Sequence, residues 1–433
     1  MEYLVIHVFK KRNKIYGYRV QDAVGGTRDV TPEVLKGAIK NKGVKLINYK
    51  LTKDNRLIPI KGKNISFNKN IYFLMNKDKQ VARFEMQLGI IEKKGKMPLG
   101  FTSIQEWIDG RKKFTCARDL RQFLESIGIR NNADLIDITH CVSLSDTFWV
   151  KRVDSNLKWR DVSPFRNNYS KVISTYALDG IKIGINEKNY FSPVISTDGT
   201  FPHTWKFSTN GIKFIKAGSK YTLGGINSGR EPYSEYYASE VAEYLGFEHV
   251  EYKIRYHSRS DGNIDVVTEC DCYNSEDIGA VTASKLGLTS YEDVLEYCRR
   301  ISKEEFDKCL DMYFLDCLLL NTDRHFGNIE FRFDTSTLEI KGLVPIFDNN
   351  YALLPRFIEG LEEFNREDYK ARDGRSFEEL FKLVIKNKSY RRELIRLKNF
   401  KFSKPRTVKI SDERLNFLND LLQKQVEHLL KEM

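Results

Sequence analysis

The chain has 433 residues, 41% hydrophobic and 12% aromatic, enough to bury a sizeable core in about two to four domains. It contains no run of eighteen apolar residues, which excludes a membrane-spanning helix of the usual kind. The formal net charge is +12, and residues 1–80 alone carry 18 Lys and Arg against 6 Asp and Glu, so the whole excess lies there. Seven cysteines form no paired framework, and Cys270 and Cys272 lack the companions of a zinc site. An odd, scattered set fits a reducing cytoplasm.

Residues 1–80 read as a small β-rich domain. Residues 4–9, 15–20, 45–49 and 71–75 are strand-like, and the first of these reads as a strand rather than a signal peptide. One helix is expected over 32–41, with Thr31 as N-cap and Pro32 at the first helical position. The basic excess can attract nucleic acid or an acidic partner. A solvated lysine-rich face is the simpler reading, since no aromatic-plus-basic motif or Cys/His finger accompanies it.

Residues 81–185 are expected to be an adaptor packing on the catalytic region. The stretch 83–128 reads as mainly helical, with amphipathic segments at 104–110 and 118–128. Residues 134–174 are rich in Trp, Asp and Ser and have weak periodicity.

From 186 onward the pattern changes. Two candidate strands, 189–195 and 203–208, flank the turn Ser196-Thr197-Asp198-Gly199-Thr200. Backbone N–H groups in such a turn can approach phosphate oxygens, although one Gly in a hairpin is more often just a turn. A strand over 211–218 carries Lys216, whose point charge could offset α- and β-phosphates; an ordinary strand-end lysine is the default alternative. A helix over 232–245 offers Glu235 and Glu240 as partners for Lys216, and Glu235, near the helix start, is preferred. Strands are expected at 249–256 and 264–269. By order alone, Glu269, Cys270 and Asp271 fall where an interlobe hinge would meet adenine.

The most informative segment comes after a helix expected over 306–320. Asn321-Thr322-Asp323-Arg324-His325-Phe326-Gly327-Asn328 precedes a hairpin of residues 329–333 and 338–347, which ends at Phe347-Asp348-Asn349. An Asp, an Asn five positions on, and a second Asp after a hairpin form the layout of a kinase centre. One Asp receives the hydroxyl proton, while the Asn and second Asp hold magnesium on the phosphates. Asp and Asn also cap turns, and an isolated D-x-x-x-x-N would mean no more than that. His325 could align the loop by bonding to backbone or to Asp348, or be a buried structural histidine. The chain closes with mostly helical sequence over 377–433, in which Leu415, Leu418, Leu421, Leu422, Val426 and Leu429 share one face.

The catalytic-loop residues, the Val344-Pro345-Ile346-Phe347-Asp348-Asn349 strand end and the Phe214-Ile215-Lys216-Ala217-Gly218 strand resemble the HipA-like serine/threonine kinases, a family that includes toxins of bacterial toxin–antitoxin systems. The resemblance covers about residues 186–430, whereas 1–80 and 81–180 do not match that family's usual pattern. It implies an α+β fold, a bilobal protein-kinase-like catalytic domain with a small β-rich N-terminal domain, the small lobe over about 186–270 and the large lobe over about 271–433. It implies Asp323 as catalytic base, Asn328 and Asp348 as magnesium ligands, Lys216 as the lysine on ATP, and Ser196–Thr200 as the phosphate loop. In the family that loop can carry an autophosphorylated Ser, for which Ser196 or Thr197 is the candidate here. A protein substrate with Ser or Thr, an antitoxin-like partner and nucleic acid bound through residues 1–80 are further expectations. Asp323-Arg324-His325 with Asn328 also resembles the loop of phosphatidylinositol kinases. A lipid or small-molecule kinase is therefore the alternative enzyme, and a non-catalytic interaction protein the alternative outside enzymes.

Overall fold

The computed structural model describes residues 2–11, 14–22, 27–41, 44–46, 49–53, 56–59, 71–86, 89–112, 123–125, 130, 132–181, 183–184, 187, 190–219, 229–357 and 361–433. By its internal contacts the chain divides into two units. One comprises Met1–Phe73, Ala82–Lys93 and Arg152–Ser155; the other Leu74–Val81, Lys94–Lys151 and Asn156–Met433.

The first unit contains a sheet of order β3-β2-β1-β4, from β1 (Glu2–Lys11), β2 (Lys14–Asp22), β3 (Thr27–Val30) and β4 (Lys45–Leu46). β1 and β2 form an antiparallel pair with Val5 opposite Val20, and β4 runs parallel to β1. Helix α1 (Pro32–Asn41) starts behind Thr31 as its sequence requires, with Pro32 where a missing N–H costs nothing. Val5, Tyr18, Val20, Leu35 and Leu46 make a small buried core. A short hairpin of β5 (Tyr49–Leu51) and β6 (Leu57–Pro59) completes it.

Three strands come next: β7 (Ile71–Asn76), β8 (Lys79–Glu85) and β9 (Gly89–Lys93). The expectation of helix from residue 83 is overturned here. Val81, Ala82 and Phe84 are buried in strand geometry, and Ile90 and Ile91 belong to a strand rather than a helical stripe. Helix α2 (Ile104–Asp109) does form, with the Ser103 hydroxyl accepting the Glu106 N–H. The helix expected over 118–128 lies largely outside the described residues. Beyond it stand α3 (Asn132–Thr139), β10 (Phe148–Arg152), α4 (Trp159–Val162) and α5 (Lys171–Asp179).

In the second unit, Glu276 gathers the Trp159 Nε1–H at 2.7 Å, the Ser163 hydroxyl at 2.8 Å and the Arg166 guanidinium. Asp179, at the end of α5, accepts the backbone N–H and hydroxyl of Ser260 at 3.0 Å and meets His257 Nε2 at 2.7 Å. Residues 156–180 are thereby held to the segments that carry the site.

Those segments begin with an antiparallel sheet of order β11-β12-β14-β13. Its strands are β11 (His203–Ser208), β12 (Gly211–Ala217), β13 (Lys253–Ser258) and β14 (Ile264–Asp271). The strand expected at 189–195 is replaced, over its described end, by a 3-10 turn at Pro193–Ser196; Pro193 has no N–H for a ladder. Helix α6 (Glu231–Leu245) packs on this sheet and stops at Gly246, whose φ of 79° is the left-handed terminus that glycine allows.

The large core lies beyond. It is built around α7 (Tyr291–Ile301) and α8 (Lys303–Leu319), a sheet of β15 (Ile278–Thr282), β16 (Glu330–Asp334) and β17 (Ile340–Leu343), and the helices α9 (Phe377–Ile385), α10 (Arg391–Leu397) and α11 (Asp412–Lys431). α8 is buried on nearly every side from Cys309 to Leu319, so it is a central helix, and its one-face reading from sequence understated it. α11 buries Leu418, Leu421, Leu422, Val426 and Leu429, with Leu415 packed at the margin. Among the described residues the cysteines are free thiols, and no helix is long and apolar enough to cross a membrane.

Candidate active site

The site is assembled from four places in the sequence. β12 supplies Lys216, and α6 supplies Glu235, 1% exposed. The loop after α8 supplies Asp323 and Asn328. The loop after β17 supplies Asp348. The Lys216 Nζ lies 2.7 Å from Glu235 Oε1 and 2.5 Å from Asp348 Oδ1. Glu235 Oε2 accepts the Thr268 hydroxyl at 2.6 Å, from β14 directly opposite Lys216 in the register. One lysine thus ties a strand, a helix and the post-hairpin loop.

The electrostatics arise from that clustering. Burial alone would depress the Lys216 ammonium, but Asp348 and Glu235 outweigh it and hold it above the ordinary lysine value. Burial alone would raise Asp348, and Lys216 outweighs it, so Asp348 stays ionised below the usual carboxylate range. Asp323 goes the other way. Its partial burial raises its carboxyl, His325 offsets part of that, and the nearby charge of Asp348 adds to it. A carboxylate raised toward neutrality is a better proton acceptor than an ordinary one.

The loop itself is cross-braced. The His325 N–H donates to the Asp323 carbonyl and the Asn328 N–H to the His325 carbonyl, both at 2.8 Å. The Asn328 Nδ2 donates to the Asp323 carbonyl at 3.1 Å. With its NH2 so committed, the Asn328 amide presents its oxygen elsewhere. His325 Nδ1 accepts the Gly327 N–H at 3.0 Å, so this histidine aligns backbone. Asp348 adopts φ of 56°, a left-handed conformation that Asp tolerates better than most residues, and its N–H donates to the Tyr252 hydroxyl at 3.2 Å.

Beneath the loop lies a network that sequence reasoning missed. Arg324, 1% exposed, places Nε 3.0 Å from Asp316 Oδ2. Its Nη1 donates to the Asn328 carbonyl at 3.1 Å and the Phe347 carbonyl at 2.6 Å, and Nη2 to Asn349 Oδ1 at 2.6 Å. Asn321 adds a bond to Asp316 at 2.9 Å, and the Tyr291 hydroxyl donates to the Arg324 carbonyl at 3.1 Å. The signal was present in the sequence. Asp316 is a lone charge in the apolar run Tyr313–Leu320, and a buried charge requires a partner.

The other predicted residues are distributed around this cluster. The Ser196 and Thr197 hydroxyls both donate to the Pro193 carbonyl at 3.0 Å, and Thr197 Oγ1 also accepts the Trp205 indole N–H at 2.8 Å. Asp198 Oδ1 accepts the Gly199 N–H at 3.1 Å. This turn leads into β11, where His203 pairs with Lys216, and the Phe201 ring sits 5.8 Å from the Lys216 Nζ. Glu269, Cys270 and Asp271 are not in a linker: they form the last rungs of β14 against β12. The Glu269 carboxylate meets Arg255 at 2.9 Å, Asp271 pairs with Lys213, and Cys270 packs beside Val250 and Tyr252. The connection to the large core starts one residue later, because Cys272 N–H still bonds the Ile212 carbonyl.

Among the described residues no group of three or more His, Cys, Asp and Glu could hold a metal ion. Asn328 and Asp348 offer two hard oxygen donors. That set suits a magnesium ion which keeps water and phosphate oxygens as its other ligands, and does not suit a resident transition metal.

No protein-family model and no curated protein matches the chain. Among solved structures it is similar to the Helicobacter pylori proinflammatory kinase CtkA, at 18% identity and a TM-score of 0.39, over 54% of this chain and 92% of that one. It is also similar to a chain of the Shewanella oneidensis MR-1 toxin–antitoxin complex of HipA, HipB and operator DNA, at 12% identity and a TM-score of 0.47, over 82% of this chain and 97% of that one. A kinase and a HipA toxin system are therefore what the chain is similar to. The functional reading rests on its own residues.

Proposed function

We propose that this chain is an ATP- and magnesium-dependent phosphotransferase of the HipA-like type, acting on serine or threonine hydroxyls of proteins. The observation that carries the reading is the Lys216 ammonium held between Glu235 and Asp348, in the electrostatic range of Asp323. That is the wiring a kinase-like site needs: a lysine for the phosphates, an oriented carboxylate for metal, and a second carboxylate for the attacking hydroxyl. In this reading residues 186–270 and 271–433 are the two lobes.

Magnesium-ATP, when bound, supplies the γ-phosphoryl group. Lys216 neutralises phosphate charge, and Glu235, fixed by Thr268, keeps the lysine extended toward the site. Asp348 and Asn328 offer their oxygens to the metal. Asp323 accepts the hydroxyl proton, and its raised basicity serves that transfer. Arg324 does no chemistry; it holds the Asp323–Asn328 loop and residues 347–349 in one register. Catalysis then consists of positioning and fixed charge. Autophosphorylation of Ser196 or Thr197, an antitoxin-like partner, and nucleic-acid contact through residues 1–80 belong to the same proposal.

The test is incubation of the purified chain and its Asp323→Ala variant with labelled ATP and magnesium, then intact mass and phosphosite mapping. Phosphate on the wild type alone supports the reading. Undiminished transfer by Asp323→Ala would sink the assignment of that residue, and label found only in lipid extracts would replace the protein substrate with a lipid.

A further inference from the structure

One contact at the site is not used by the proposed chemistry. The Arg372 guanidinium lies 3.5 Å from Asp323 Oδ1, and its side chain is 61% exposed. An attacking hydroxyl must approach that same carboxylate to within about 3 Å. An acceptor that uses Asp323 therefore comes within reach of Arg372.

The backbone beneath Arg372 is pinned while its tip is open to solvent. Lys370 and Ser376 form a bridge, the Ala371 N–H donates to the Arg375 carbonyl at 3.0 Å, and Ala371 is buried. Arg375 makes a two-pronged contact with Glu292 at 2.8 and 3.0 Å and lies over the Tyr291 ring. Tyr291 in turn bonds the Arg324 carbonyl. The turn is thus registered to the catalytic loop through Tyr291, and the Arg372 side chain has room to swing.

A second exposed cation lies on the loop after β17. The exposed Arg356 donates to the Tyr351 hydroxyl at 2.9 Å, and the Tyr351 ring lies 5.9 Å from that of Phe201, which itself sits 5.8 Å from the Lys216 ammonium. The nearest carboxylate on the Arg372 turn, Asp373, is engaged with Arg375 at 2.7 Å. Arg372 is thus an exposed cation at Asp323, with no carboxylate of its own turn engaged to it among the described residues, and a guanidinium fork matches carboxylate geometry better than any other side chain.

We infer that Arg372 is a specificity-determining residue: it leaves Asp323 when the acceptor enters and pairs with a carboxylate flanking the acceptor hydroxyl, so that the chain selects Ser or Thr in an acidic peptide. The inference rests on the proposed kinase reading and adds the substrate class.

The experiment compares Ser-containing peptides that differ only in Glu, Ala or Lys beside the acceptor, with the full chain and with Arg372→Ala, Arg372→Lys and Arg372→Glu. Two readouts are taken, the kcat/KM of phosphate transfer and fluorescence-anisotropy binding of the same peptides without nucleotide. For the wild type, the Glu peptide is expected to exceed the Ala peptide by about tenfold in both, the scale of one charge-assisted contact. Arg372→Ala should bring that ratio to about one, Arg372→Lys should restore part of it, and Arg372→Glu should turn the preference toward the Lys peptide. Transfer without charge preference in the wild type, or a preference that survives Arg372→Ala, overturns the inference and leaves the kinase reading standing. Absence of phosphate on every peptide and on the chain itself overturns both.

Discussion

Two buried charge clusters lie side by side in this molecule and are built to opposite ends. In the Arg324–Asp316 network the guanidinium and carboxylate side chains are 0% and 1% exposed, and all three guanidinium nitrogens of Arg324 have partners. In the Lys216–Glu235–Asp348 cluster, the Asp348 side chain keeps 22% of its exposure, and neighbouring Asp323 keeps 21%. A saturated, buried network cannot exchange partners without leaving a charge uncompensated, so it acts as a scaffold. A cluster with one open side can trade a lysine contact for a metal or a phosphate. The difference separates the residues that hold the loop from those left with an open side.

The comparison can be broken most severely at the scaffold. Asp316→Ala should strip Arg324 of its carboxylate and cost about 3–5 kcal/mol, the usual penalty for orphaning a buried charge. A fall in the thermal midpoint with a parallel loss of activity is the expected result; an unchanged midpoint would mean that Arg324 is not held by Asp316. At the open cluster, Asp323→Ala should leave folding nearly intact and lower phosphate transfer about a hundredfold or more, roughly 3 kcal/mol of barrier. Circular dichroism and steady-state turnover together check that separation.

Acid should sharpen it. His203, paired with Lys216 across β11 and β12, is buried, and burial depresses its pKa to about 4 from the ordinary 6.5. A depressed value means that the unfolded chain takes up the proton first. The stabilising contribution is whole above pH 6.5 and is lost as pH falls toward 4, up to about 3 kcal/mol. Thermal midpoints from pH 7 to pH 4.5 should fall in the wild type and flatten in His203→Asn; equal slopes would remove this group from the account. The smallest effect belongs to the support of Tyr291. Ser290 caps α7 with its hydroxyl on the Asp293 N–H at 3.0 Å, and Asp293 accepts the Ser290 N–H in return. Ser290→Ala should cost about 1 kcal/mol without altering turnover, as denaturant titration and kinetics would show.

Much of this was legible along the chain because it is local. The helix expected over 232–245 is found at Glu231–Leu245, and the one expected over 306–320 at Lys303–Leu319. Their apolar spacing and their starts and stops reside in neighbouring residues. The hairpin between Asn328 and Asp348 was readable from its alternation and its turn, and it appears as Glu330–Asp334 with Ile340–Leu343. The strand residues within 83–93 were misread as helical although β8 and β9 pair as chain neighbours, because their own alternation is weak and strand preference depends on the side chains packed around them.

The sequence by itself determined the order of the candidate site's loop residues, because Asp323, Asn328 and Asp348 lie within a stretch that one loop and one hairpin organise. Only the tertiary structure decided what each of them touches. That Lys216 is shared by Glu235 and Asp348, 132 positions away from the latter, depends on sheet register and on the seating of α6. That Arg324 is scaffold while Arg372, an equally ordinary arginine in the sequence, faces the Asp323 carboxylate depends on burial. The physical reason is that charge interactions act through space and are set by desolvation, and neither is encoded in any residue's neighbours along the chain.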